Sequence, residues 1–164
     1  MQELTTQSKQ EVTPWLLERW QHLTDTRKAY EWVDATTENG YAAKAQRFIP
    51  PTPAEETELR NYLAELDKQL EPADKKIIIG LLGRLANHRQ QDRTETEWRM
   101  LFEDYCDDLA EFSEAHIEQA IREHRRTSQW FPAIAQIRAR CAELQELTKI
   151  RRSRCLRSLR GDHV

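Results

Sequence analysis

Apolar residues in this chain recur three and four positions apart, and this spacing constrains the fold more than any other feature. Leu59, Leu63, Leu66 and Leu70 fall on one face of a helix. The sequence TPAE at 52–55 precedes them and has the residues of a helix start. Its threonine is an N-cap, its proline suits the first turn and its glutamate completes a capping box. We therefore predict a helix over 53–70.

The same spacing predicts four more helices in the second half of the chain. The first covers about 72–90, the second opens at the capping box TETE of 94–97, the third covers about 114–126 and the fourth starts at Trp130. Gly80 and Gly83 lie inside the first of them. Each glycine weakens a helix by up to ~1 kcal/mol relative to alanine. We therefore expect a neighbouring helix to pack closely there.

The expected fold class is all-α. A bundle of about five helices occupies 49–148, and no segment has the pattern of a strand. Residues 1–48 form a tryptophan-containing extension that is helical or partly disordered, with one helix beginning at Pro14 and a second over 27–34. Prolines cluster as PPTP at 50–53, which favours an extended boundary. Residues 149–164 form an arginine-rich tail.

Composition excludes several classes of protein. No window of about 18 apolar residues could span a membrane, and the N-terminal residues lack the apolar core of a secretory signal. The three cysteines, Cys106, Cys141 and Cys155, are odd in number and widely spaced, which is typical of reduced thiols. A cytoplasmic protein is therefore predicted. Neither cysteines nor histidines form the close-spaced pairs of a zinc site. We expect no metal, no cofactor and no membrane partner.

An acidic run lies on the helix that is predicted to open at 94–97. Its members fall opposite the apolar face, and they are Glu103, Asp104, Asp107, Asp108 and Glu111. The pair Asp104 and Asp108, four residues apart, could bind a divalent cation or act as acid and base. A solvated helix face explains the run better, because charged residues normally lie opposite an apolar stripe. A third interpretation, intermediate between the other two, is a face that binds a partner protein.

Motifs for catalysis are missing from the sequence. Ser113 and Ser128 lie outside a nucleophile elbow, and no glycine-rich phosphate loop with its Lys-Ser/Thr occurs. Acidic neighbours raise the thiol pKa of Cys106 and blunt its reactivity. The chain is therefore predicted not to be an enzyme.

The strongest chemical feature is the basic C-terminal segment. Within twelve residues and without an intervening acid it contains Lys149, Arg151, Arg152, Arg154, Arg157 and Arg160. Arginine suits bidentate phosphate contacts, which favours nucleic-acid binding without sequence selectivity. Five further arginines between Arg122 and Arg140 could extend this surface. An equally weighted interpretation is a solvated helix end, where positive charge complements the helix dipole. A third interpretation is that the segment docks onto an acidic protein.

A pattern of core and turn positions runs through residues 98–141. It places Leu109, Phe112, Ile117 and Ile121 on successive helices, followed by a polar turn and the sequence FPAIAQI at 131–137. In this pattern the segment resembles the helical domain of phage replicative-helicase loaders. That family usually has glutamate where Gln136 stands here. The shared positions are mostly core and turn positions, so they indicate fold more directly than function.

The resemblance implies a small non-catalytic adaptor. Such loaders bind a hexameric DnaB-type replicative helicase, load or restrain it, and deliver it to an origin-bound initiator or to single-stranded DNA. Their C-terminal segment is implicated in helicase contact, and residues 149–164 take that place here. The expected function is therefore an adaptor in phage or prophage DNA replication. The alternative is a protein that binds nucleic acid directly through its arginine-rich segment.

Charge is divided unevenly along the chain. Residues 1–120 hold 14 basic and 24 acidic side chains, a net charge of -10, whereas residues 121–164 hold 11 and 4, a net charge of +7. The whole-chain value of -3 hides this division. An acidic first part could bind proteins and a basic C-terminal part could bind nucleic acid. This division is more typical of an adaptor than of an enzyme.

Overall fold

A computed structural model of the chain describes residues 12–87 and 93–160. These residues form helices and one two-stranded antiparallel sheet, in the order α1 (Pro14–Thr26), β1 (Tyr30–Thr36), β2 (Ala42–Phe48), α2 (Pro53–Lys68), α3 (Lys75–Ala86), α4 (Glu95–Leu109), α5 (Glu114–Thr127) and α6 (Ile134–Arg160). The predicted mostly helical character is confirmed. Predictions for 1–11, for the end of the 72–90 helix and for 161–164 lie outside the described residues. Within the described ranges, no helix is long and apolar enough to cross a membrane.

Capping side chains start the helices where the sequence predicts them. The Thr94 hydroxyl accepts a hydrogen bond from the Glu97 backbone N–H at 3.3 Å, and the Glu97 carboxylate accepts one from the Thr94 N–H at 2.7 Å. This second bond is the main cause that lowers the pKa of Glu97. Thr52 and Glu55 form the same box at α2. Each box satisfies backbone donors that a helix start otherwise leaves unpaired.

A β-hairpin replaces the helix predicted over 27–34, so that prediction and the expectation that no segment forms a strand are wrong. The chain is mostly helical but not purely all-α. Strands β1 and β2 pair in register, with Asp34 opposite Lys44 and each in an ion pair with the other. The aromatic rings of Tyr30 and Phe48 lie 5.7 Å apart at the open end. At the turn, Gly40 has a φ of 78°, a left-handed conformation that glycine adopts without steric cost.

The chain divides into two compact units. The first unit combines the residues up to Tyr62 with those from Arg154 onward, and the second unit runs from Leu63 to Ser153. The boundaries therefore fall inside α2 and inside α6. The division by composition into 1–48, 49–148 and 149–164 stays a prediction.

The first unit has a small core that includes the last turns of α6. Trp20 is 4% exposed and its ring lies 6.3 Å from that of Tyr62. Cys155 is fully buried, and its thiol donates to the carbonyl oxygen of Leu59 at 3.1 Å. Because α6 continues through Arg160, the segment expected as a tail is helical up to that residue.

The second unit packs α3 against α4 and α5 around one apolar core. Phe131 joins this core, with its ring 5.2 Å from that of Trp98 and 5.7 Å from that of Tyr105. The Tyr105 hydroxyl donates to the carbonyl oxygen of Pro132, and burial raises the pKa of Tyr105 to about 12. These contacts fix the turn between α5 and α6 on the core.

The close helix packing expected at Gly80 and Gly83 is wrong. A Cβ atom added to either glycine would meet no heavy atom within 4 Å among the described residues. Neither glycine has the left-handed backbone that excludes other residues. Nothing in the described structure accounts for the two glycines in α3.

A buried histidine lies in the second unit. His116 is 4% exposed, and its Nε2 lies 2.9 Å from the Thr148 hydroxyl oxygen. That hydroxyl donates to the carbonyl oxygen of Leu144 at 3.0 Å, so it accepts from the imidazole N–H. Nδ1 has no hydrogen-bond partner in the described parts of the chain. This network assigns the neutral tautomer protonated at Nε2, and burial lowers the pKa of His116.

Stability should fall at acidic pH because of His116. Its pKa is lowered from the ordinary 6.5, so between these two pKa values the unfolded chain binds more protons than the folded one. The free energy of unfolding contributed by this group is therefore complete above pH 6.5 and decreases as the pH falls below it. Urea denaturation at a series of pH values measures the decrease. In His116→Gln, which keeps a donor for Thr148, the decrease should shrink; an unchanged pH profile contradicts the assignment.

Candidate protein-binding face

Helix α4 presents its carboxylates to solvent because its apolar residues are buried on the opposite side. Tyr105 and Leu109 are at most 1% exposed and anchor the helix to the core. The capping box at Thr94 sets where the helix begins and therefore which side faces outward. The acidic residues predicted for this face are all exposed, namely Glu103, Asp104, Asp107, Asp108 and Glu111.

Of the five acidic residues, the four that lie on α4 have no ion-pair partner among the described residues, whereas Glu111, just beyond the end of the helix, has one. The Glu111 carboxylate lies 2.5 Å from the guanidinium of Arg138. Arg138 also donates to the backbone carbonyl oxygen of Asp108 at 3.4 Å and not to its carboxylate. Four neighbouring negative charges create a local potential that attracts a cationic surface.

An exposed methionine lies on the same face and is the residue that sequence analysis missed. Met100 is 61% exposed. It precedes Glu103, Asp104 and Asp107 by three, four and seven residues, so these side chains share one face of the helix. An unbranched, polarizable side chain surrounded by charge is a suitable apolar contact for a partner protein. The signal was present in the sequence as the helical spacing between Met100 and the acidic run. We name the face formed by Met100, Glu103, Asp104, Asp107 and Asp108 the α4 face.

The structure does not support the interpretation of Asp104 and Asp108 as a cation site or as an acid–base pair. Among residues 12–87 and 93–160, no group of three or more His, Cys, Asp or Glu side chains is placed to hold a metal ion. Both carboxylates lie on one exposed helix face, and the part of the chain that the structure describes gives neither a hydrogen-bond partner that would orient it for proton transfer. The arrangement suits long-range attraction of a charged surface better than coordination.

All three cysteines are buried. Burial is the main cause that raises the pKa of Cys106, and Asp107 and Glu103 raise it further. The predicted direction is thus confirmed, although burial outweighs the acidic neighbours. Burial raises the pKa of Cys141 to about 12. Both thiols stay protonated at neutral pH, so neither is an activated nucleophile.

The basic residues of the C-terminal segment separate into paired and unpaired groups on α6. Within the second unit, Arg152 lies 2.5 Å from Asp67, and Lys149 lies 4.0 Å from Glu146. Within the first unit, Arg154 lies 3.2 Å from Asp25. In the described part of the chain no ion pair involves the remaining three, which are Arg151, Arg157 and Arg160. Helix α6 thus does not present the six basic side chains as one continuous surface.

Several arginines expected to extend that basic surface are neutralised in the second unit. The guanidinium of Arg122 lies 3.1 Å from Glu118. Arg140 bridges Glu123 at 2.6 Å and Glu143 at 2.7 Å, and its hydrogen bonds are the main cause that lowers the pKa of Glu123. Arg138 pairs with Glu111 as described above.

A second acidic feature is an open cleft of about 480 Å³ in the second unit. Glu71 and Asp74 precede α3 on one side of it, and Glu114 and Glu118 of α5 lie on the other. Lys68 supplies a basic side chain there. The cleft adds to the negative character of this unit and could receive a basic side chain of a partner.

No protein-family model, curated protein or solved structure matches this chain. The likeness to phage helicase loaders therefore rests on the residues of 98–141 themselves. In the structure these residues form α4, α5 and the start of α6, which contain most of the second unit's core.

Proposed function

We propose that this protein is a non-catalytic adaptor of phage or prophage DNA replication that acts in the cytoplasm. It binds a replicative helicase of the DnaB type through the α4 face. The observation that supports this proposal most is the exposure of Met100 among four carboxylates that have no described ion-pair partner. The resemblance over 98–141 supplies the identity of the partner.

The composition of the α4 face suits a protein partner with a basic rim. The exposed methionine at the N-terminal end of the face provides apolar area that is removed from water on binding. The surrounding carboxylates raise the association rate and select against acidic surfaces. Because these carboxylates form no ion pair among the described residues, a partner protein can contact them without breaking existing ion pairs.

Substitutions on the α4 face test the proposal. We expect Met100→Ala to weaken helicase binding about tenfold, as truncation of an apolar contact does in other interfaces. We expect the double reversal Asp104→Lys, Asp107→Lys to weaken it further and to slow association, because like charges then face each other. Biolayer interferometry with the immobilised full chain and the purified host helicase hexamer measures both effects.

Matched controls come from α6 in the same unit. Leu147 is 45% exposed and Glu146 is also exposed, so Leu147→Ala repeats the truncation elsewhere and Glu146→Lys repeats one of the two charge reversals. Both control variants should bind like the unchanged chain. Equal weakening by control and test variants, or no binding of any DnaB-type helicase by the unchanged chain, would rule out the proposed contact.

Direct nucleic-acid binding through the end of α6 is a second candidate function. It is favoured by the exposure of Arg157 and Arg160, neither of which has an ion pair in the part of the chain that the structure describes. If the two arginines contact phosphates, the double variant Arg157→Ala, Arg160→Ala should reduce the salt dependence of binding. Unaltered salt dependence removes this candidate.

A further inference from the structure

The turn between α5 and α6 holds a tryptophan outward. Trp130 is 64% exposed, whereas the next residue, Phe131, is 8% exposed and packs in the core. The Trp130 backbone N–H donates to the Ser128 hydroxyl at 3.1 Å, and its carbonyl oxygen lies 2.9 Å from Nε2 of His124. The backbone is thus fixed on both sides of the residue, while the indole faces solvent.

Basic side chains from other helices gather at this end of the second unit. Arg84 of α3 and Arg125 of α5 line one small cleft of about 70 Å³. Arg93 lies 5.5 Å from the ring of Trp98, and that ring in turn contacts Phe131, the neighbour of Trp130. The start of α4 therefore meets the α5–α6 turn through Trp98, and the end of α3 lies beside the last turns of α5.

Among the described residues, two exposed arginines at this end are not neutralised by an ion pair. Of the nearby acids, Glu118 pairs with Arg122, and Glu123 pairs with Arg140. Arg84 and Arg126 are exposed and have no ion pair among the residues that the structure describes. Their charge is therefore available to an anionic partner.

Helix capping explains only part of this arrangement. Basic residues in the last turn of α5 complement the helix dipole. The dipole of α5 does not require an arginine from α3, nor does it require an indole held in solvent. Cations that neutralise a backbone, beside an aromatic face on which a base stacks, are the two requirements for binding single-stranded nucleic acid.

We propose that this end of the second unit binds single-stranded nucleic acid, with one base stacked on Trp130 and phosphates contacted by Arg84 and Arg126. The site is separate from the α4 face and from Arg157 and Arg160, so it goes beyond the function proposed above. Base stacking makes it prefer single strands, because the faces of bases in a duplex are covered by their neighbours.

Fluorescence anisotropy with labelled oligothymidylate at low salt tests the site in the full chain. We expect Trp130→Ala to weaken binding about tenfold, the effect of losing one stacked base. Trp130→Phe should retain most of the affinity. We expect Arg84→Ala and Arg126→Ala each to reduce the slope of log affinity against log salt by about 0.7. Oligothymidylate should also quench tryptophan emission in the unchanged chain and less so in Trp130→Phe.

Trp32 provides the matched control, since it is 67% exposed and lies in the first unit. Trp32→Ala should bind oligothymidylate like the unchanged chain. Equal affinities of Trp130→Ala and Trp32→Ala, absence of binding at low salt, or equal binding of a duplex would overturn the proposal. The proposal would also be overturned if polyglutamate bound as tightly as the oligonucleotide and displaced it from Trp130. That outcome indicates an acidic protein as the partner. Met100→Ala leaves this site intact, so failure here is distinguishable from failure of the helicase contact.

Discussion

Ending the chain at Ser153 is expected to unfold the first unit and to leave the second unit folded. The shortened chain lacks Cys155, which is fully buried, and Ser158, which is 4% exposed. It also loses the half-buried Leu156 and Leu159. Burial of a leucine contributes roughly 1.5–3 kcal/mol when it is complete. A unit of this size has a small margin of stability, so the combined loss exceeds what it can tolerate.

Tryptophan fluorescence and limited proteolysis measure the effect of this truncation. The emission of Trp20, which is buried in the first unit, should shift to longer wavelength, and cleavage should appear between α1 and β2. The full-length double variant Arg157→Ala, Arg160→Ala is the control, because it removes charge and keeps the buried residues. A shortened chain that resists protease over 12–62 as well as the full chain does would show that α6 is dispensable there.

This expectation changes how a deletion of the arginine-rich segment is interpreted. Loss of nucleic-acid binding after such a deletion has two causes that the deletion cannot separate, the missing charge and the unfolded first unit. Point substitutions at Arg157 and Arg160 separate them, since both side chains are exposed.

The helices that begin with capping residues could be predicted from the sequence, because the signals are local. Thr13, Thr52, Thr94 and Ser113 each bond to a backbone N–H within three residues. The end of α6 could not be predicted in this way. Its buried residues beyond Thr148 include Cys155 and Ser158, which are small and give little apolar periodicity. The arginines around them dominate the sequence pattern.

The hairpin could not be predicted because its strands lack the residue pattern that is typical of strands. Ala35, Ala43 and Ala45 are poor strand formers, so the pattern of β-branched residues that predicts a strand is absent. The strands are held by cross-strand contacts such as that between Glu31 and Arg47, which are 16 residues apart. Gly40 favours a turn, but a single glycine does not indicate that the segments on either side of it pair as strands.

Some features of the candidate site could likewise be predicted from the sequence, and others could not. The exposure of Asp104 and Asp107 follows from the amphipathic pattern of α4, and the sequence predicted it. The pairing of Arg152 with Asp67, 85 residues away, and of Arg154 with Asp25, 129 residues away, depends on tertiary structure. The charge of the C-terminal segment alone therefore overstated the basic surface that α6 offers to a ligand.

Arg27→Ala is expected to lower the free energy of unfolding of the first unit by about 2–3 kcal/mol. The Arg27 side chain is only 6% exposed, and its guanidinium donates to the carbonyl oxygens of Ile49 and Ser158. Its Nε lies 3.9 Å from Glu55, but that carboxylate is partly exposed, so the ion pair contributes little of the effect. Removal of the guanidinium leaves two carbonyl groups without this donor and removes the packed aliphatic stem.

The position of Arg27 makes the loss larger than that of an ordinary surface arginine. The residue ends α1 and joins the segment after β2 to the last turns of α6, so one side chain links three parts of the first unit. Arg27→Lys should recover less than half of the stability, because one ammonium group cannot reproduce the planar set of donors. Arg47→Ala, at an exposed ion pair of the hairpin, should cost less than about 0.5 kcal/mol. Urea denaturation followed by tryptophan emission compares the three variants, and equal costs at Arg27 and Arg47 would show that burial of the guanidinium contributes nothing.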